Sequence, residues 1–226
     1  MDLSPAYMLA VGQIIWIDLL LSGDNAVVIA LACRSLPDRQ RRWGILLGAA
    51  AAIVLRILFA LVISQIMQVP FLMTLGGVLL LWIAVKLLKG EEAEAKDVAA
   101  SDKLWQAVRT IAMADAVMSL DNVVAISAAS RGDYWLFIFG LAVSIPLIVI
   151  GATLITGLIR RFPLFVWAGA ALLGWIAGEM IAKDPGLHDL GFPTGASLHY
   201  ATAAICAAAV VLLGYWLKKR EARQPA

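Results

Sequence analysis

Seven stretches of this chain run apolar for about the 20 residues that a bilayer core demands, with polar residues gathered between them. They are roughly 9–32, 43–66, 71–89, 107–128, 134–158, 164–182 and 199–217. Runs of that length cross lipid only as helices, because each backbone polar group must find its partner inside the segment. Two connections are longer than the rest. The stretch 90–103 holds Glu91, Glu92, Glu94, Lys96, Asp97, Asp102 and Lys103, and reads as a solvated linker. The stretch 183–198 carries the turn residues Pro185, Gly186, Gly191, Pro193 and Gly195.

Composition agrees with this pattern. Of 226 residues, 62% are hydrophobic and the mean hydropathy is +0.87, which excludes an ordinary soluble domain. The net charge of +2 says little as a total, but its distribution says more. With the N-terminus outside, the inner loops and C-terminal end collect fifteen of the eighteen Lys and Arg residues, among them Arg34, Arg39, Lys86, Arg160 and Lys218. Arg131 and Lys183 fall outside, and Arg56 lies within a span. This bias predicts N-out, C-in. Trp43, Trp82, Trp105, Trp135 and Trp216 sit near span ends, as an interfacial belt requires. Gly44-x-x-x-Gly48 and Gly174-x-x-x-Gly178 suit close helix packing. Cys33 and Cys206 fall toward opposite leaflets, so no disulfide is expected. No basic run suggests nucleic acid, and no zinc spacing occurs. The N-terminus lacks the positive flank of a signal peptide, so the first span is expected to be retained.

The chain also repeats itself. Asp18-Leu-Leu-Leu-Ser22-Gly-Asp24-Asn25-Ala-Val27 matches Asp115-Ala-Val-Met-Ser119-Leu-Asp121-Asn122-Val-Val124, 97 residues on. The segment from Pro70 through Gly76 and Trp82 to Ala84 matches that from Pro163 through Gly169 and Trp175 to Ala177, 93 residues on. Spans 1–3 therefore correspond to spans 4–6, and span 7 is an addition. Three is odd, so the second triplet enters the membrane from the opposite side. The expected fold is an all-α membrane protein of seven transmembrane helices, two inverted three-helix repeats plus one C-terminal helix. One transmembrane domain then covers 1–226, with repeat 1 at 8–89, a charged cytoplasmic linker at 90–103, repeat 2 at 104–182 and the seventh helix at 199–217. Transporters of this design bind substrate near the midplane between their repeats.

Carboxylates within a membrane cost roughly 2.5–3.5 kcal/mol each on insertion scales and persist where they bind or carry something. At 100° per residue Asp18, Ser22 and Asn25 share a helix face and Asp24 lies about 120° away; Asp115, Ser119, Asn122 and Asp121 repeat the arrangement. A helix break at Gly23 would turn Asp24 and Asn25 into one cavity; Leu120 replaces that glycine in the second copy. Asp24, Asn25, Asp121 and Asn122 then form an oxygen-rich site for a hard divalent cation, Mg²⁺, Ca²⁺ or Mn²⁺. Within the spans Asp18, Asp24, Asp115, Asp121 and Glu179 face only Arg56, which leaves an excess of four negative charges to be met by cations or protons. Asp18 and Asp115, about 9 Å along the axis from the core aspartates, are assigned with Ser22, Ser119 and Glu179 to access or proton handling. Arg56 is expected as a structural counter-ion or as a gate that salt-bridges an aspartate.

The doubled S-x-D-N motif, the seven spans and their length resemble the TerC family of integral membrane proteins, over about residues 8–217. The short bacterial YjbE-like branch fits best, and the family is similar to transporters of the LysE superfamily. The resemblance implies metal binding at Asp24, Asn25, Asp121 and Asn122, and Mn²⁺ efflux for manganese homeostasis. The expectation is a non-enzymatic secondary exporter of a divalent cation in the bacterial inner membrane. Mn²⁺ is the first choice of transported substrate, and Mg²⁺, Ca²⁺ and Fe²⁺ stay open. No organic cofactor is expected. The partners are the lipid bilayer and the ion, with a homo-oligomer left open. The alternative is a non-transporting membrane partner that helps to metalate secreted enzymes or to assemble membrane proteins. An intramembrane aspartyl protease needs G-x-G-D, which neither Ser22-Gly23-Asp24 nor Ser119-Leu120-Asp121 supplies.

Overall fold

Every regular element in the computed structural model is helical, as a chain of apolar runs requires. It describes residues 11, 12, 15, 23–66, 69–89, 100–129, 134–190 and 195–221. The helices are α1 (Gly23–Cys33), α2 (Asp38–Ile66), α3 (Leu72–Lys89), α4 (Ala100–Ala129), α5 (Tyr134–Arg161), α6 (Leu164–Ala182), the single-turn α7 (Pro185–Asp189) and α8 (Ala196–Glu221). Each expected span coincides with one of them, but α1 covers only the last part of span 1, and the remainder lies outside the described residues. Five helices, α2, α3, α5, α6 and α8, are long and apolar enough to cross a membrane. The 30-residue α4 is long enough, but it carries Asp102, Lys103, Arg109, Asp115 and Asp121 and so dilutes its own hydropathy. Helices overrun several expected boundaries, since a helix continues past the lipid edge wherever its polar residues tolerate it. The described end of the 90–103 stretch, from Ala100, is already part of α4. Similarly, α7 occupies part of the turn-rich 183–198 stretch.

Small residues decide which helices meet. A Cβ on Gly174 would stand 2.9 Å from Ala207 Cα, and one on Gly178 would stand 2.6 Å from Ala203 Cα, so the glycine pair lets α6 and α8 touch backbone to backbone. Gly48 gives room to Ile111, and Gly44 to Cys33, Leu36 and Leu104. These contacts lay α2 alongside α4 in parallel. Gly77 admits Ala177 and Ile181, and α3 and α6 run antiparallel. Across the bundle α1 packs on α5, α6 and α4. The core between them is Ile29, Leu31, Leu80, Ile83, Ile111, Ala114, Leu173 and Ala177, all buried. Cys33 and Cys206 form no disulfide.

The two ends differ in chemistry. At one end Asp38 bonds Arg41 and also Arg160 (3.1 Å). Here Lys86 lies over Trp82, Lys218 over Trp167, Arg161 over Phe162 and Arg220 over Trp216. Basic side chains against aromatic faces suit a membrane–water boundary. The five tryptophans assigned to span ends are all exposed. The opposite end is tied by Asp184, buried just beyond α6. Its Oδ1 accepts from the backbone N–H groups of Phe71 (3.0 Å) and Gly186 (2.7 Å), and Oδ2 from that of Thr74 (2.7 Å). One carboxylate thus caps the start of α3 and holds the α6–α7 turn to it. Phe71 takes a φ of 61°, an uncommon conformation for an aromatic residue, stabilised by this clamp.

Candidate functional site

The two motifs fall on α1 and α4, and these helices touch. In the first, α1 is described from Gly23 onward and carries Asp24 beside that point. Asp24 Oδ1 accepts the N–H of Asn25 at 2.7 Å. The Asn25 side chain is buried, and among the described residues neither its Nδ2 nor its Oδ1 has a hydrogen-bond partner. An orphaned buried polar group costs about 1–3 kcal/mol.

The second motif lies in an unbroken helix, since α4 runs through Asp115, Ser119 and Asn122 without interruption. Asp115 and Ser119 are one turn apart, as their spacing predicts, and Ser119 Oγ donates to Asp115 Oδ2 at 2.9 Å. Arg56 Nη2, on α2, donates to Asp115 Oδ1 at 2.8 Å. The arginine is 0% and the aspartate 2% exposed. A guanidinium away from water is tolerable only when its charge is met, and Asp115 meets it. Asp24 lies near enough to interact with the charges of both Arg56 and Asp115. Asn122 is buried further along α4. The structure therefore brings Asp24, Arg56 and Asp115 into one electrostatic centre, with Ser119 bonded to it.

Other expected site residues stand apart or lie outside the description. Asp18 and Ser22 lie outside the described residues, as does the side chain of Asp121. Glu179 accepts from Trp175 Nε1 at 2.8 Å on its own helix. Trp175 in turn packs against Tyr200 of α8. Among the described residues no three His, Cys, Asp or Glu side chains come together as a metal cluster. Asp115, assigned from the sequence to access or proton handling, is interior and bonded through both carboxylate oxygens.

Sequence reasoning missed Asp184. Burial alone would raise its pKa, but the backbone N–H groups of Thr74, Gly186 and Phe71 outweigh that and hold the carboxyl below the usual range. The signal was there: Asp184-Pro185-Gly186 is a turn sequence at the end of an apolar run.

Long apolar helices around an interior ion pair define a polytopic, all-helical integral membrane protein. Its sequence matches the integral membrane protein TerC family over residues 3–222, and the chain belongs to that family. It is 44% identical to the uncharacterized membrane protein YjbE of Bacillus subtilis, over 79% of this chain and 81% of that one. It is 25% identical to the B. subtilis membrane protein YceF, over 93% and 83% of the two chains. The Escherichia coli UPF0053 inner membrane protein YgdQ is 24% identical, over 81% and 84%. No solved structure matches.

Proposed function

We propose that this protein is a secondary carrier that exports a divalent cation, with Mn²⁺ the first candidate, from the cytoplasm of a bacterium across its inner membrane. One observation carries the reading: the helices bearing the two motifs touch, and Asn25 of the first motif presents, beside Asp24, a buried amide with no hydrogen-bond partner among the described residues. Amide and carboxylate oxygens are ligands for a hard divalent ion. Asp121 and Asn122 complete the site from the second motif.

The packing supports an inverted repeat. Exchanging the triplets α1–α2–α3 and α4–α5–α6 turns the α1–α5 contact into α4–α2 and the α1–α6 contact into α4–α3, while α3–α6 maps onto itself; all of these contacts occur. The shared end of Asp38, Arg160, Lys86 and Lys218 supports a basic cytoplasmic face and an N-out, C-in topology. Protons are the natural counter-ion, since carboxylates that release a cation take up protons in exchange.

Purified protein in liposomes tests this. Mn²⁺ flux under an imposed pH gradient is expected for the wild type, and is abolished by Asp24→Asn and by Asp121→Asn although both variants insert. Normal flux in either variant refutes the site. A wild type without flux for any of Mn²⁺, Mg²⁺, Ca²⁺ or Fe²⁺ favours the non-transporting partner.

A further inference from the structure

Away from the span ends, Arg56 is the sole Lys or Arg within the expected spans, and its position is specific. It reaches from α2 in the first triplet to Asp115 on α4 in the second, at 2.8 Å, with both side chains out of water. Asp24 of the opposite motif interacts with the same charge. A guanidinium is thus a cation of this centre, and the amide of Asn25, without a hydrogen-bond partner among the described residues, lies on the residue next to Asp24. A purely structural bridge needs no second carboxylate from the other motif nearby.

We propose that Arg56 is a tethered substitute for the transported ion: it meets the negative charge of the centre when no ion is bound and competes with the incoming ion for that charge. This rests on the proposed transport function and adds its regulation. A carrier whose empty site holds fixed, unmatched carboxylates pays a large desolvation cost to pass through its closed state. An internal cation removes that cost, so the empty carrier closes and resets. The same charge repels a divalent ion at close range in a low-dielectric interior, and so weakens its binding.

The sign of one effect separates this from scaffolding. Mn²⁺ (as chloride) is titrated into the purified full-length protein and followed by the electron paramagnetic resonance of free Mn²⁺. Arg56→Gln is expected to tighten binding roughly tenfold or more, because a repelling charge is gone, while Arg56→Lys keeps near wild-type affinity. A structural arginine gives the reverse, with weaker or unchanged binding in Arg56→Gln, and that result overturns the proposal. Arg56→Ala supplies a second arm if the glutamine variant fails to fold. Methylguanidinium in solution is expected to refill the vacated place, raise the melting temperature and weaken Mn²⁺ binding several-fold, with no effect on wild-type binding. Absence of competition in Arg56→Ala also overturns the proposal. If the wild type binds and transports Mn²⁺ and only these arms fail, the transport reading stands and the role of Arg56 falls. If the wild type binds no Mn²⁺, both fall.

Discussion

Replacing Asp184 with alanine removes one side chain and three hydrogen bonds. Its carboxylate accepts from Phe71, Thr74 and Gly186, each at 3.0 Å or less, and is itself buried. Hydrogen bonds to a charged group contribute about 1.5–3 kcal/mol each, but three bonds to one carboxylate are not additive. The clamp lies at an end of the bundle, where water can reach some of the orphaned N–H groups. A loss of about 3–5 kcal/mol follows, the range for truncating one member of a buried charged network. The assay is SDS-induced unfolding of the purified protein in detergent micelles, followed by tryptophan fluorescence. The pH dependence has a defined sign. The folded carboxyl titrates below its unfolded value, so the stabilisation is complete above about pH 4 and is lost as pH falls through the lower folded pKa. Asp184→Ala should unfold earlier at neutral pH and lose that component of acid sensitivity. A variant that unfolds with the wild type, or that keeps the full acid dependence, refutes the clamp.

Two further outcomes follow from packing and charge. Gly178→Ala drives a Cβ to 2.6 Å from Ala203 Cα and should cost about 1–3 kcal/mol in the same unfolding assay; Gly157→Ala, with nothing within 4 Å, should be neutral. Asp115→Ala strands the buried Arg56 charge and should cost about 3–5 kcal/mol, whereas Ser119→Ala removes one bond and should cost about 1.5–3 kcal/mol.

The helices were legible because lipid enforces a simple rule: an apolar run of about 20 residues has one solution. Motif spacing was equally readable, since Asp115 and Ser119 fall one turn apart on any helix and do bond. The two glycine pairs, Gly44 with Gly48 and Gly174 with Gly178, also proved to be contact points. What the sequence hid was partner choice across long separations. Arg56 was recognised as a counter-ion, but the sequence offered five acidic residues and no means to pick Asp115. The roles of Asp184 and Glu179 were likewise hidden. The role of Asp184 escaped notice because two of its three partners are backbone N–H groups more than 100 positions away, and those carry no side-chain signature. The bond from Trp175 to Glu179 was hidden because it uses a spacing that any exposed helix face also shows.

The asymmetry at Arg56 bears on how such a carrier works. On the inverted-repeat reading, Asp115 corresponds to Asp18, and the motif offset of 97 puts Thr153 of α5 where Arg56 stands on α2. Thr153 Oγ1 donates to the carbonyl of Val149 on its own helix, and α5 holds no basic residue before Arg160. One half of the centre therefore brings its own cation and the other does not. A perfectly symmetric carrier would have inward-open and outward-open states of equal energy. In the proposed carrier, a fixed positive charge in one half makes the two states unequal. For the carrier proposed above, a single unpaired substitution between the repeats is thus a source of directional bias.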